Sequence, residues 1–182
     1  MTDVPVPSPD APDSLDWGPT RSRTVEWHDP SVSSARAAGL DGLTFLRALL
    51  DGRIPSPPIG ALMNMDFIAV AKGTATFALT PDESQYNPIG GVHGGTMCTL
   101  LDSVVGCAVH TTLPAGVGYT SVEIKVSFMK AVTKASGTLT AVGKVTKAGR
   151  RIAFAEGEVR DALGALVATA TSTLLVFELP TG

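Results

Sequence analysis

The sequence is poor in the features that mark several large functional classes. Aromatic residues make up 5% of its 182 residues, and the formal net charge is −3. Nucleic-acid binding usually shows as a basic surface or as stacked aromatics, so we expect no nucleic-acid partner. Two cysteines and three histidines lie scattered along the chain. A metal site needs its ligands in a cluster, so we expect no metal.

Long apolar runs and targeting segments are also missing. The longest apolar segment, residues 94–109, is too short to span a bilayer and carries Asp102 in its middle. The first ten residues have neither a basic region nor an apolar run, so we expect no secretory signal and a cytoplasmic location. Cys98 and Cys107 would stand ~13 Å apart on a helix, beyond disulfide reach. We interpret both as small buried side chains rather than nucleophiles, because no basic residue flanks either one.

The motifs of several enzyme classes are absent as well. The chain contains no Gly-x-Ser-x-Gly turn, no phosphate loop ending in Gly-Lys-Ser/Thr and no Gly-x-Gly-x-x-Gly segment. Serine hydrolases, nucleotidases and dinucleotide enzymes commonly depend on these segments. The sequence therefore disfavours all three classes.

What is present is a glycine-rich turn, starting at Asn87, that leads into an apolar helix. Glycines before and after His93 permit unusual backbone angles and let a ligand approach bare peptide groups. Apolar residues then recur at helical spacing: Met97, Leu100, Leu101, Val104, Val105, Ala108 and Val109. The free N–H groups at the helix start, which we assign to Gly94 and Gly95, are suited to hold a developing negative charge.

Asp102 falls off the apolar stripe of this helix. Plotted at ~100° per residue, it shares a narrow face with Gly95, Thr99 and Gly106. Glycine inside a helix costs ~1 kcal/mol relative to alanine. Gly106 therefore indicates that another helix or a substrate packs closely beside the carboxylate.

The remaining pattern predicts an N-terminal arm and one α+β domain. The arm, residues 1–58, is rich in Pro, Ser and Asp, has isolated tryptophans at Trp17 and Trp27, and contains one short helix at about 42–50. Residues 59–179 form the domain. Its predicted strands are Met63–Ala71, Thr74–Thr80, Tyr119–Lys130, Gly137–Lys147, Arg150–Arg160 and Ala165–Glu178. Short links between them predict a mostly antiparallel sheet against the long helix.

The strand after the long helix shows strict alternation. The residues predicted on its buried face are Val122, Ile124, Val126 and Phe128, and those on its polar face are Ser121, Glu123, Lys125 and Ser127. An antiparallel sheet with one covering helix leaves edges that commonly pair with a second copy.

The spacing of Asn87, of His93-Gly94-Gly95 six residues later, and of Asp102 nine residues after the histidine resembles the hotdog-fold acyl-CoA thioesterases. The likeness is strongest to the PaaI-like (phenylacetic acid degradation) group of the 4-hydroxybenzoyl-CoA thioesterase superfamily, whose following strand resembles residues 119–130. It covers about residues 63–177. It implies the hotdog fold, an antiparallel sheet of about six strands wrapped around one long central helix. It also implies a homodimer, often paired into a homotetramer, with active sites between subunits.

The resemblance implies hydrolysis of an acyl- or aryl-CoA thioester to the free acid and coenzyme A, with no cofactor besides the coenzyme A of the substrate. Asp102 takes the place of the base on water or of the nucleophile. The Gly94 and Gly95 amides are suited to bind the oxyanion.

Three polar side chains are expected to support this reaction. Asn87 is suited to hold water or the carbonyl, and His93 to orient Asn87 or the turn. Ser121 matches a family position whose hydroxyl helps to place the attacking water.

The substrate is expected to contact two further groups of residues. Thr99 and Gly106 are candidates for the acyl pocket, and Lys147, Arg150 and Arg151 are candidates for gripping the nucleotide phosphates of coenzyme A. Solvated turn cations are an equally acceptable interpretation of the basic group. Aryl, hydroxyaryl and medium-chain acyl groups all stay open.

Two alternative functions share this fold. One is a non-catalytic acyl-CoA-binding or regulatory protein, which would not need Asp102. The other is an enoyl-CoA hydratase or dehydratase, disfavoured by Asn87 and by the lack of the histidine loop usual in such enzymes.

Overall fold

The computed structural model describes residues 18–37 and 39–179. Its helices are α1 (Pro30–Ala37), α2 (Gly42–Leu50), α3 (Pro58–Met63) and α4 (Gly94–His110). Its strands are β1 (Met65–Ala71), β2 (Thr74–Leu79), β3 (Val117–Phe128), β4 (Leu139–Lys147), β5 (Ile152–Arg160) and β6 (Leu166–Glu178). Trp17 and the first part of the predicted arm lie outside the described residues.

The six strands form one sheet in the order β1-β2-β4-β5-β6-β3, and every neighbouring pair is antiparallel. The prediction of an antiparallel six-stranded sheet is thereby confirmed. β1 and β3 are the two edge strands of this sheet. The twelve residues of β3 therefore present one row of backbone groups that no strand among the described residues pairs with.

Helix α4 fills the concave face of the sheet. Its apolar stripe is buried, and Leu100, Leu101, Val104 and Val105 are all 0% exposed. The helix approaches the sheet closely because two strands present glycine beneath it. A Cβ at Gly143 would lie 2.2 Å from the Val104 carbonyl oxygen, and one at Gly157 would lie 3.1 Å from the Leu101 side chain. This arrangement is the hotdog fold predicted from the sequence.

Two short helices depart from the predictions for the first third of the chain. Helix α1 lies in the part of the N-terminal arm whose sequence shows no hydrophobic periodicity. Trp27, just before this helix, is 62% exposed. Helix α3 occupies the predicted start of β1, so the prediction that the strand begins at Met63 is wrong. Pro58 suits the first turn of a helix, and Asn64 ends this helix in the left-handed conformation at φ 55°. The strand begins at Met65.

Helix α2 matches its prediction and packs on the domain. Asp41 caps it by accepting a hydrogen bond from the Thr44 N–H at 3.0 Å. Gly42 donates its N–H to the Leu113 carbonyl, and a Cβ at Gly42 would lie 1.8 Å from the His110 carbonyl oxygen. The short helix therefore covers the C-terminal end of α4. The division of the chain at residues 58 and 59 stays a prediction.

Candidate active site

The turn before α4 is organised by Asn87. Its side-chain oxygen accepts hydrogen bonds from the backbone N–H groups of Ile89 and Gly91, each at 3.1 Å. The backbone N–H of Asn87 donates to the Gly91 carbonyl. Gly90 takes a φ of +84°, which explains the glycine there. No described residue accepts from Asn87 Nδ2. The amide nitrogen is therefore available as a donor while the amide oxygen holds the turn.

His93 is the N-cap of α4. Its Nδ1 accepts a hydrogen bond from the Gly95 N–H at 2.9 Å, so the imidazole proton lies on Nε2. The capping bond occupies one of the two amides expected to bind an oxyanion. The Gly94 N–H has no acceptor among the described residues, so it is the free donor at the start of the helix.

Phe128, at the end of β3, lies against this donor. A Cβ at Gly94 would come 3.1 Å from Phe128 Cζ, so the ring rests on the bare backbone. Asn87, Gly94 and Phe128 share a cavity of 480 Å³ with Met97 and Met129. Sequence reasoning assigned Phe128 to the buried face of its strand but missed this contact, and the residue is 56% exposed.

Asp102 and Ser121 meet across the α4–β3 contact. Asp102 is exposed on the helix, and Ser121 Oγ donates a hydrogen bond to its Oδ1 at 2.7 Å. Strict alternation had placed Ser121 on the polar face with Glu123, and that prediction is wrong. The register of β3 against β6 shifts between Ser121 and Glu123, which leaves Val122 as an extra residue, 56% exposed. This bulge turns Ser121 toward the helix.

Thr99 and Gly106, which share the helix face of Asp102, both make contacts within the chain. Thr99 Oγ1 donates to the Gly95 carbonyl at 3.0 Å, so its hydroxyl bonds back to the helix. Gly106 lies against Tyr119 of β3, since a Cβ at Gly106 would come 2.9 Å from both the Cε2 and the hydroxyl of the tyrosine. The close neighbour predicted for Gly106 is therefore a side chain of the adjacent strand. Sequence reasoning did not single out Tyr119.

Two ionisable side chains near Asp102, those of Cys107 and Tyr119, are half-buried. Burial raises the pKa of the Cys107 thiol to about 12, with the Asp102 charge adding to the effect. Burial also raises the pKa of Tyr119, with further contributions from Cys107 and Asp102. Because nucleophilic cysteine chemistry needs the thiolate, Cys107 is unsuited to that role.

The predicted phosphate-binding cations lie away from these residues. Lys147 ends β4, and Arg150 and Arg151 precede β5, which β6 separates from β3. All three are exposed, and none forms an ion pair within the described part of the chain. Across residues 18–37 and 39–179, no group of His, Cys, Asp or Glu is placed to hold a metal ion. No described helix is long and apolar enough to cross a membrane.

The site residues thus fall into two separate sets within one chain. The donor set is Asn87 Nδ2 and the Gly94 N–H, and the carboxylate set is Asp102 with Ser121. Gly94 and Asp102 stand eight residues apart on one helix, which corresponds to ~12 Å along its axis. That separation is too large for both sets of one chain to contact the same carbonyl group.

Comparison with known proteins agrees with the fold. Residues 89–168 match the family model of the thioesterase superfamily. No curated protein sequence matches the chain significantly. The family match begins inside the glycine-rich turn and includes α4 and β3, so it contains Gly94, Asp102 and Ser121.

Three solved structures illustrate the similarity. A putative thioesterase of Ralstonia eutropha JMP134, described as a phenylacetic acid degradation-related protein, is 27% identical, with a TM-score of 0.66 over 71% of this chain and 98% of that one. The E. coli PaaI protein from the phenylacetic acid degradation operon is 18% identical, with a TM-score of 0.66 over 78% and 99%. A Streptococcus mutans UA159 protein bound to acetyl CoA is 25% identical, with a TM-score of 0.59 over 65% and 92%. The resemblance predicted from the sequence is confirmed.

Proposed function

We propose that this chain, whose hotdog domain belongs to the thioesterase superfamily, hydrolyses acyl- or aryl-CoA thioesters. The observation that carries the proposal is the exposed Asp102 carboxylate, held at 2.7 Å by the Ser121 hydroxyl. The similar protein of Streptococcus mutans UA159 was solved with acetyl CoA, which supports a CoA thioester as the ligand class. The products are a free carboxylic acid and coenzyme A.

Asp102 supplies the carboxylate that the reaction needs. As a base it accepts a proton from water while the water oxygen bonds to the thioester carbon. As a nucleophile it forms a mixed anhydride with the acyl group, which water then cleaves. In either case the carbon–sulfur bond breaks, and the thiolate of coenzyme A leaves and takes up a proton. Ser121 orients the carboxylate, since its Oγ donates to Oδ1.

Two donors are available for the carbonyl oxygen that becomes negative during attack. They are the Gly94 N–H at the start of α4 and Asn87 Nδ2, and both residues line the cavity beside Phe128. Fixed donors at a helix N-terminus stabilise an oxyanion without reorganising. Gly95 is the weaker candidate, because its N–H already donates to His93. In this proposal His93 positions the helix start rather than touching the substrate.

The site is shared between two copies of the chain. Since ~12 Å of helix separates Gly94 from Asp102, one carbonyl group reaches both only if they come from different subunits. The unpaired edge of β3 offers the contact, because two such edges joining antiparallel extend the sheet across a homodimer. Each dimer then has two equivalent sites. Two such dimers pairing would give the homotetramer that the resemblance implies.

Coenzyme A needs cations for its phosphates. We assign Lys147, Arg150 and Arg151 to this role, because they are exposed and have no ion-pair partner among the described residues. Arginine is well suited to phosphate because its planar fork donates two parallel hydrogen bonds.

A thiol-release assay tests the proposal. Wild type, Asp102→Asn and the matched control Asp66→Asn, which alters an exposed carboxylate on β1, are compared on a panel of aryl- and alkyl-CoA thioesters. We expect turnover in wild type and the control and a loss of at least about 100-fold in Asp102→Asn. Binding without turnover across the panel would overturn hydrolysis and favour an acyl-CoA-binding protein.

A further inference from the structure

Helix α4 contacts strand β3 at two successive positions along the helix. Asp102 and Gly106 lie one helical turn apart on the same face of α4, and Ser121 and Tyr119 lie two residues apart on the same face of β3. Asp102 pairs with Ser121 at the first level. Gly106 pairs with Tyr119 at the second. The tyrosine ring is therefore the next side chain beyond the carboxylate, toward the C-terminal end of the helix.

Tyr119 fills the space beyond Asp102 in that direction. Its ring edge and hydroxyl press against the bare backbone of Gly106, and its ring stacks at a tilt on His110, with the two ring centroids 5.3 Å apart. His110 is held in turn against Phe45 of α2, at 5.5 Å between centroids. A row of three rings thus extends from Gly106 to α2.

Toward the start of α4, the helix face that carries Asp102 has no large side chain. Thr99 and Gly95 lie one and two turns toward the N-terminus from Asp102, and both are small. Gly95 is exposed. A CoA thioester has a long polar arm on its sulfur and an acyl arm on its carbonyl carbon. The long arm needs the direction without a large side chain, so the acyl arm points toward Tyr119.

Behind Tyr119 lies a cavity of 450 Å³. His110, Phe45 and Tyr119 line it on one side, and the end of α1 at Ala37 and Leu179 lie on others. A space of this size is in the range that holds small ligands. Tyr119 therefore stands between Asp102 and a cavity that could hold a longer acyl chain.

We propose that Tyr119 sets the acyl length of the site, so that the protein excludes long alkyl chains. This inference rests on the proposed function, because it takes Asp102 as the point where the thioester carbonyl lies. It names a substrate class within the proposed reaction, and it assigns that choice to one side chain.

Binding of non-hydrolysable S-alkyl-CoA thioethers, measured by calorimetry, tests the inference without any turnover. The series runs from ethyl to dodecyl and includes S-benzyl-CoA. Wild type should stop gaining affinity beyond a short chain. Tyr119→Ala should continue to gain about fourfold for each further methylene that enters the cavity. Tyr119→Leu is a second variant that leaves more of the core filled, and it should move the limit in the same direction by less.

Phe177→Ala is the matched control, since it removes a partly exposed ring from the neighbouring strand β6, on the other face of the sheet. It should keep the wild-type length limit. An unchanged limit in both folded Tyr119 variants, or a wild type that binds dodecyl-CoA best, would overturn the inference. If the length limit moves as expected while no thioester is hydrolysed, the proposed hydrolysis fails and the pocket assignment stands.

Discussion

Ser121 on β3 donates its hydroxyl to the Asp102 carboxylate on α4 across 2.7 Å. The contact joins the exposed face of the central helix to the edge strand of the sheet. It depends on the register shift after Ser121, since an unbroken strand would turn the hydroxyl to the other face. The bulge therefore positions the carboxylate oxygen that we assign to catalysis.

Replacing Ser121 tests this positioning. We expect Ser121→Ala to lower kcat by about 10–100-fold, because Asp102 loses the hydroxyl that orients it. Ser127→Ala on the same strand is the control, since Ser127 lies on the other face of the sheet, near Thr169 and Lys125. Thiol release measures both. Equal kcat in Ser121→Ala and wild type would remove Ser121 from the mechanism.

Mixed dimers test whether the site is shared. Asn87→Asp keeps the oxygen that accepts from Ile89 and Gly91 but removes the Nδ2 donor. Paired with Asp102→Asn, it gives one site with both defects and one intact site, so we expect about half of the wild-type activity per dimer. Each parent homodimer should be nearly inactive.

The mixed dimers are isolated through two different affinity tags, so that parent homodimers do not contribute. Activity no higher than that of the parents in verified mixed dimers would argue for a site built within one chain. That outcome would conflict with the ~12 Å between Gly94 and Asp102, a distance that helix geometry fixes as long as α4 stays intact.

His93 provides a separate test, because the structure gives it a capping bond to Gly95. His93→Ala should lower the free energy of unfolding by ~0.5–2 kcal/mol, the usual cost of a lost N-cap. Asn is a good N-cap residue, so His93→Asn should restore stability and kcat together. Thermal unfolding and thiol release measure the two effects. Restored stability with lost activity would instead give the imidazole a direct role at the substrate.

Much of the fold was predictable because it follows from periodicity. The long helix, the short helix after Asp41 and the six strands each repeat apolar residues over enough positions to identify the element. Helix α3 was missed because its six residues give too short a repeat, and only Pro58 and Asn64 mark its ends. The orientation of Ser121 was missed because a single inserted residue reverses the alternation.

The sequence predicted which residues form the candidate site, but it did not predict their contacts. The spacing identified Asn87, His93 and Asp102 as candidates. It did not predict which backbone N–H would donate a hydrogen bond to His93. Tyr119 was not identified because its role comes from a tertiary contact with Gly106. The glycine correctly signalled a close neighbour, but the neighbour is a strand side chain and not the helix or substrate that the sequence predicted.

The stability of the protein should depend on pH through His110. Burial between Phe45 and Tyr119 holds the pKa of its imidazole below the usual 6.5, and Asp41 opposes this in part. The unfolded chain therefore binds the proton more readily. The free energy of unfolding should be constant above the unfolded pKa and fall as the pH drops below about 6.5, by at most ~1.4 kcal/mol per pH unit.

Urea unfolding of wild type, His110→Gln and the exposed control His28→Gln between about pH 5.5 and 7.5 measures this dependence. His110→Gln should flatten it and His28→Gln should keep the wild-type slope, whereas an unchanged slope in His110→Gln would assign the dependence to other groups.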